Sequence, residues 1–157
     1  MKTMEETSAS KQVLIIGAGI AGISAALDLA EQGHDVYLVE RTPSIGGKMA
    51  QLDKTFPTLD CSICILAPKM VECARHPRIK LYTYSEVKKV EPINDGEFFD
   101  ITILKKARYI DESKCTSCGD CAAICPVREV PNEYEVNLKG NHAAFIPFLQ
   151  AVPAKYL

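Results

Sequence analysis

The sequence predicts an α/β chain built on parallel strands, and three observations carry that reading. Gln12 to Ile16 is a short apolar run of the kind a buried parallel strand shows. Gly17-x-Gly19-x-x-Gly22 follows at once and opens a helical pattern that runs to Gln32 and stops at Gly33. Asp35 to Glu40 then reads as a second strand that ends in an acid. Strand, glycine turn, helix, and strand with a distal acid together form the fingerprint of a dinucleotide site, so the predicted fold is Rossmann-like.

Each part of that fingerprint has a physical task. Gly17 permits a tight turn, Gly19 leaves the backbone open to a pyrophosphate, and Gly22 lets the helix pack close to the strand. The N–H groups and partial positive charge of the helix start attract phosphates. Gly17, Ala18, Gly19, Ile20, Ala21 and Gly22 are therefore candidate cofactor-binding residues. Glu40 lies 18 residues after Gly22 (40 minus 22), placed to accept hydrogen bonds from a ribose diol. Arg41 joins the candidates; alone it would suggest a 2′-phosphate, which Glu40 beside it would repel. Ile20, Ile23, Leu27 and Ala30 repeat at helical spacing and form the face that packs on the sheet. The competing reading is an ordinary glycine-rich turn.

With 157 residues the chain is long enough for one ordinary domain, and 47% hydrophobic content is that of a globular protein. A net charge of −2 lacks the basic footprint of a nucleic-acid binder. The apolar run Val13 to Leu27 is preceded by Glu5 and Glu6 and followed by Asp28, which argues against a signal peptide. It is also too short and glycine-rich for a membrane span. A cytoplasmic protein is expected. Seven cysteines, an odd count, argue against a closed disulfide framework and for metal or redox roles.

In chain order, residues 1–11 read as a mobile polar tail. A loop from Thr42 to Ile45 leads to Gly46-Gly47-Lys48-Met49, where the pair of glycines resembles the segment of glutathione reductase-type flavoproteins that approaches the FAD pyrophosphate and flavin. By that resemblance Gly47 and Lys48 join the cofactor-binding candidates. Phe56 to Cys64 reads as a loop that ends in Cys61-Ser62-Ile63-Cys64. Pro68 suits the first turn of a short helix that Pro77 terminates, with Met70, Val71 and Ala74 as its apolar face and Cys73 within it. Lys80 to Tyr84, Glu86 to Glu91 and Glu97 to Leu104 alternate like strands, the last two joined by a turn at Asn94-Asp95-Gly96. That hairpin resembles the β-meander inserted in FAD domains. Tyr82 and Tyr84 read as strand packing, and His34, His76 and His142 as surface or capping residues. Ala143 to Leu149 reads as a strand interrupted by Pro147.

Cys115-x-x-Cys118-x-x-Cys121-x-x-x-Cys125-Pro126 is the ferredoxin run. Closely spaced thiolates can wrap one face of a cubane, and Ser117, Gly119, Ala122 and Ala123 leave it room. The competing zinc reading fits less well, because zinc ribbons use two separated C-x2-C pairs. Cys61 and Cys64 are candidate cluster ligands as well. Their C-x-x-C spacing also allows a dithiol, although the sequence does not place them at a helix start. In two-cluster ferredoxins the fourth cysteine serves the other cluster. Cys125 can therefore close a cluster with Cys115, Cys118 and Cys121, or the linker cysteines can take part. At least one of Cys61 and Cys64 is expected to be a ligand, and Cys73 is not.

Taken together, the glycine fingerprint, Gly46-Gly47-Lys48-Met49, Cys61-Ser62-Ile63-Cys64, Ala67-Pro68-Lys69-Met70-Val71, Arg75-His76-Pro77, Tyr82 to Val87, the run around Cys115 and Gln150-Ala151-Val152-Pro153 resemble the flavin-containing iron–sulfur component of heterodisulfide reductase, HdrA, over nearly all of residues 11 to 157. The resemblance implies an incomplete Rossmann-like FAD/NAD(P)-binding domain with a β-meander and a small inserted ferredoxin-like 4Fe–4S segment. It divides the chain into residues 12–109 for the FAD unit, 110–140 for the insertion and 141–157 for the return to the FAD domain. It implies FAD and a 4Fe–4S cluster as cofactors, an oxidoreductase component of anaerobes and methanogens, and electron transfer between the two cofactors. The implied partners are other heterodisulfide reductase-type subunits, a hydrogenase or dehydrogenase donor, or ferredoxin. Members of that family are longer, so the chain is expected to be a truncated portion. Two other function classes compete: a ferredoxin-like carrier without flavin, and a zinc-stabilised binding module.

Overall fold

The computed structural model of the chain describes residues 11–94 and 97–157. The expected tail and two residues of the expected turn, Asp95 and Gly96, lie outside the described residues. The first strand, β1 (Gln12–Ile16), has the predicted bounds. Helix α1 (Ile20–Glu31) follows, then β2 (Asp35–Val39), with Gly33 in a left-handed turn between them. Helix α2 (Ser62–Arg75) leads to β3 (Ile79–Tyr82). The three strands form one parallel sheet in the order β1-β2-β3, with Ile16 opposite Val39 and Val39 opposite Tyr82. Parallel pairing requires the two crossover helices that the sequence supplies. The carboxyl ends of all three strands therefore lie along one edge of the sheet.

The core is built by two helix faces on this sheet. Ile23, Ala26, Leu27 and Ala30 of α1 are buried with Leu66, Met70 and Cys73 of α2 against Val36, Leu38 and Ile79. Ile20 of the expected face is only half-buried. Helix α2 differs from its sequence reading in both start and phase. It begins at Ser62, six residues before Pro68, because the Cys61 side chain caps it by accepting the Cys64 N–H at 3.3 Å. Pro68 sits inside the helix on its exposed side, so the carbonyl that loses its partner faces water. Met70 of the expected face is buried, whereas the earlier start turns Val71 and Ala74 outward and buries Leu66 and Cys73 in their place.

Beyond the sheet, β4 (Ser85–Ile93) and β5 (Phe98–Lys105) form an antiparallel hairpin with a bulge between Val87 and Lys89. Of the expected meander, these two strands are the part present among the described residues. The insertion contains one short helix, α3 (Asp120–Ala123). The strand expected over 143–149 is replaced by bends and turns. Pro147 lacks the N–H a ladder needs, and this segment is held by single backbone bonds such as Ala143 N–H to the Val127 carbonyl at 3.1 Å.

One close contact sets the approach of α1 to β1. A Cβ built on Gly22 would lie 1.9 Å from the Gly17 carbonyl oxygen, and that neighbour is backbone. Gly22→Ala is expected to lower unfolding free energy by about 1–3 kcal/mol, the range for overpacking, as measured by urea denaturation.

Candidate functional site

The site begins where β1 turns into α1. Gly17 takes φ +98°, a left-handed conformation suited to glycine, and its N–H donates to the Val39 carbonyl at 2.8 Å. The turn is thereby fixed to the end of β2. Gly19 caps α1 with extended backbone and no capping side chain. A Cβ on Gly19 would meet nothing within 4 Å, so the space over the start of α1 is open. That opening is the cradle a pyrophosphate needs, beside the positive end of a twelve-residue helix.

The second glycine segment closes on the first. Gly46 N–H donates to the Ala18 carbonyl at 2.8 Å, and Gly19 and Gly46 form an isolated parallel bridge. A Cβ on Gly47 would lie 3.0 Å from the Gly19 Cα, so the two backbones touch. A short 3-10 turn (Gly47–Gln51), carrying Lys48 on its exposed side, continues from this point. Sequence spacing alone does not reveal this turn.

Glu40 follows β2 and is buried. Its carboxylate accepts the Ala18 N–H at 2.7 Å and both the N–H and hydroxyl of Thr42 at 2.8 Å. The acid thus ties the glycine turn to the loop after β2. It also lines an open cleft of about 400 Å³ with Ile16, Gly17, Val39, Arg41, Ser85, Glu86 and Val87. This cleft lies at the carboxyl ends of the parallel strands, where open α/β sheets bind their ligands. Thr42 is not among the sequence candidates, since nothing in the sequence marks a threonine two residues after the acid as its partner.

Arg108 is a second residue that sequence reasoning misses. Its side chain is 5% exposed, with Nε 3.1 Å from Glu112. Its Nη2 donates to the Pro43 carbonyl and the Thr83 hydroxyl, each at 3.0 Å. It clamps the entry to the insertion onto the loop after Glu40 and the turn after β3.

The ferredoxin run is held from both sides. Cys115 N–H donates to the Asp111 carbonyl at 2.9 Å, and the Asp111 carboxylate accepts from the backbone and hydroxyl of Ser113. From the other side, Tyr156 N–H donates to the Cys115 sulfur at 3.5 Å and Lys155 Nζ to the Cys115 carbonyl at 2.6 Å. The Ser117 hydroxyl donates to the Ala154 carbonyl. The backbone N–H of Tyr156, followed by that of Ser117, holds the Cys115 thiol below its ordinary range. The Ala144 N–H does the same at Cys125. Both effects favour the thiolate that iron requires, so the donor set of Cys115, Cys118, Cys121 and Cys125 suits an iron–sulfur centre in kind. Among the described residues the thiols are not gathered: no three His, Cys, Asp or Glu side chains converge as a metal site.

Cys61 and Cys64 cap and begin α2, contrary to the sequence reading, and their sulfurs are paired with each other in its first turn. The cause is the helical first turn, which places residues three apart side by side. Cys73 is buried in the core, and burial pushes its thiol up to about 11. His34 and His76 act locally: each accepts a backbone N–H, from Lys11 and Arg78.

The last residues connect the two halves of the site. The Ser44 hydroxyl accepts the Val152 N–H at 2.8 Å, and Ile45 N–H donates to the Val152 carbonyl at 2.9 Å. Lys155 and Tyr156, which hold Cys115, lie only a few residues on. Tyr134 stacks on Phe148 at 4.7 Å, and its carbonyl accepts from Gln51 at 3.1 Å.

Comparison with known proteins agrees with both halves. Residues 12–59 match the family described as FAD dependent oxidoreductase, and residues 108–128 match the 4Fe-4S binding domain. The HdrA iron-sulfur component of CoB–CoM heterodisulfide reductase from Methanocaldococcus jannaschii is 60% identical over 146 residues, covering 93% of this chain and 22% of that protein. One of the HdrA proteins of Methanopyrus kandleri is 57% identical over 92% of this chain and 22% of its own length. The HdrA component of the H(2)/formate:CoB-CoM heterodisulfide,ferredoxin reductase of Methanococcus maripaludis is 56% identical over 93% and 22%. The chain thus spans about a fifth of the length of these curated relatives. It is a homologue of one segment of HdrA, in which an FAD-type βαβ unit carries a 4Fe–4S binding module.

Proposed function

We propose that this chain is an electron-transfer segment that passes electrons between FAD and a 4Fe–4S cluster held in the same polypeptide. The observation that carries this reading is the return segment. It is hydrogen-bonded at Val152 to the loop lying against the glycine turn, and at Tyr156 and Lys155 to Cys115. A scaffold that only docked a carrier would have no need to tie a cofactor loop to a cluster ligand.

In this reading Gly17 to Gly22 and Gly47 hold the pyrophosphate, with Lys48 and Arg41 at its margins, and Glu40 receives the ribose. Cys115, Cys118, Cys121 and Cys125 hold the cluster, with one of the linker residues Cys61 and Cys64 as a further candidate ligand. The cofactors, when bound, supply the two-electron and one-electron chemistry, and the protein supplies position and electrostatics. Arg108 and the Ser44–Val152 contact fix the separation of the two sites. The boundaries 12–109, 110–140 and 141–157 follow as functional units. The names of the relatives, which print H(2), formate and ferredoxin, support a place among heterodisulfide reductase-type subunits; a hydrogenase or dehydrogenase donor, or ferredoxin, is the electron partner in this reading. A cytoplasmic setting belongs to this reading, because a reducing compartment keeps the cluster thiols available to iron. Among the described residues no helix is long and apolar enough to cross a membrane.

Three variants test the reading, two by cofactor binding or content and one by hydrogen exchange. Gly19→Ala adds a methyl to open space, so stability is expected to fall by about 1 kcal/mol or less. FAD binding is expected to weaken about tenfold, the equivalent of about 1.4 kcal/mol, by flavin fluorescence titration. Unaltered FAD affinity would move the pyrophosphate away from Gly19. Cys118→Ser, reconstituted anaerobically, is expected to lose iron and acid-labile sulfide while keeping flavin. Zinc in the parent chain without sulfide would favour the binding-module reading. Ser44→Ala removes the acceptor of the Val152 N–H, and the loss of that buried bond is worth about 1–3 kcal/mol. Hydrogen exchange at 152–157 is expected to quicken about tenfold or more while β2 amides stay protected.

A further inference from the structure

One side chain beside the cofactor cleft has more acceptors in reach than it can serve. The Thr42 hydroxyl carries a single proton, yet the Glu40 carboxylate lies 2.8 Å from it and the Ser44 carbonyl 2.7 Å. The first acceptor belongs to the acid that lines the cleft. The second leads away from it. The Ser44 carbonyl and the Ile45 N–H form one peptide group, and that N–H donates to the Val152 carbonyl at 2.9 Å. We propose, on the electron-transfer reading in which Glu40 receives the ribose, that Thr42 is a positioning residue that relays occupancy of Glu40 by a ribose diol to the Val152 anchor of the return segment.

The number of acceptor sites on Glu40 forces the choice. A carboxylate offers about four lone-pair sites, shared equally by its two oxygens. The Ala18 N–H takes one on Oε2 at 2.7 Å. The N–H and the hydroxyl of Thr42 take both on Oε1, each at 2.8 Å. A diol that donates both of its hydroxyls needs two sites, and a single one is open. One of the present donors must therefore leave. The two N–H groups are fixed in the backbone. The Thr42 hydroxyl is free to turn about its Cβ–Oγ bond, and the Ser44 carbonyl already stands at 2.7 Å to receive its proton.

The turned proton acts on the far side of the same peptide group. Donation to the Ser44 carbonyl polarises the Ser44–Ile45 peptide, and hydrogen bonds in a chain strengthen one another. The Ile45 N–H then holds the Val152 carbonyl more firmly, while the Ser44 hydroxyl accepts the Val152 N–H at 2.8 Å. Both polar groups of the Val152 backbone are thus fixed to the loop that the diol has biased. Linkage makes the effect reciprocal: the factor by which the diol tightens the anchor is the factor by which the closed anchor tightens the diol.

The test is hydrogen exchange at the Ile45 and Val152 amides of the full chain, with and without saturating FAD. In the parent, FAD is expected to slow both amides by about fivefold, the scale of one hydrogen bond. Thr42→Val keeps the shape and the backbone N–H but has no proton to turn, so the FAD-dependent slowing is expected to vanish. Thr42→Ser keeps the hydroxyl and is expected to restore it. A merely structural role for Thr42 would shift exchange alike with and without FAD, and slowing of undiminished size in Thr42→Val would overturn the proposal. A ligand-side comparison needs no variant: saturating ADP, the half of FAD that carries the diol, is expected to slow both amides of the parent, and 2′,3′-dideoxy-ADP is not. Equal slowing by the two nucleotides, or a parent saturated with FAD that shows no slowing, would overturn the relay alone. A parent that takes up no FAD would overturn the electron-transfer reading, and the relay with it.

Discussion

The contact on which the two halves of this molecule depend is small: the hydroxyl of Ser44 against the backbone of Val152, with the Ile45 N–H on the Val152 carbonyl. On one side, Ser44 and Ile45 lead directly to Gly46, whose N–H is bound to Ala18 in the glycine turn. On the other, Val152 leads to Lys155 and Tyr156, which hold Cys115. A residue 108 positions away in sequence is thus fixed to the loop beside the cofactor cradle. Ser44 is buried and Val152 half-buried, so the hydroxyl has little water to turn to in place of this partner. Burial makes a buried polar pair costly to break, and that cost keeps the insertion in register with the sheet.

Around this contact the polar groups are arranged so that the protein itself holds the cradle open. Glu40 is engaged with Ala18 and Thr42 and shapes the turn through its carboxylate, while the same residue lines the cleft at the strand ends. A carboxylate accepts along several lone-pair directions, so one acid can order the backbone and still receive a diol. At the insertion, backbone N–H groups rather than cationic side chains are the first cause of the lowered thiol ranges of Cys115 and Cys125. Backbone donors suit an anionic cluster because they cost little reorganisation.

Much of the fold is legible in the sequence because its signals are local. The apolar run of β1, the glycine turn and the Gly33 stop fix β1, α1 and β2 nearly to the residue. Helix α2 departs from its sequence reading because cysteine is not an expected helix cap and Pro68 mimics a helix start; the Cys61 sulfur supplies the cap instead. The 143–149 segment has strand-like composition but finds no partner strand among the described residues, and composition does not report pairing. The site is legible as motifs and illegible as connections. Gly17 to Gly22, Glu40 and the four cysteines stand out by spacing. Thr42, Ser44, Arg108 and Val152 act through backbone atoms or across long sequence separations, and neither leaves a pattern.

In the proposed function, cradle and cluster segment form one electron-transfer unit. It is tested most directly by reconstituting the full chain with FAD and iron–sulfide, reducing the flavin with a sub-stoichiometric flash-generated donor, and following flavin absorbance and the cluster signal together. Electrons are expected to redistribute between flavin and cluster at a rate independent of protein concentration, as an intramolecular step requires. A rate that rises in proportion to protein concentration, or a cluster signal unchanged after flavin reduction, would contradict it.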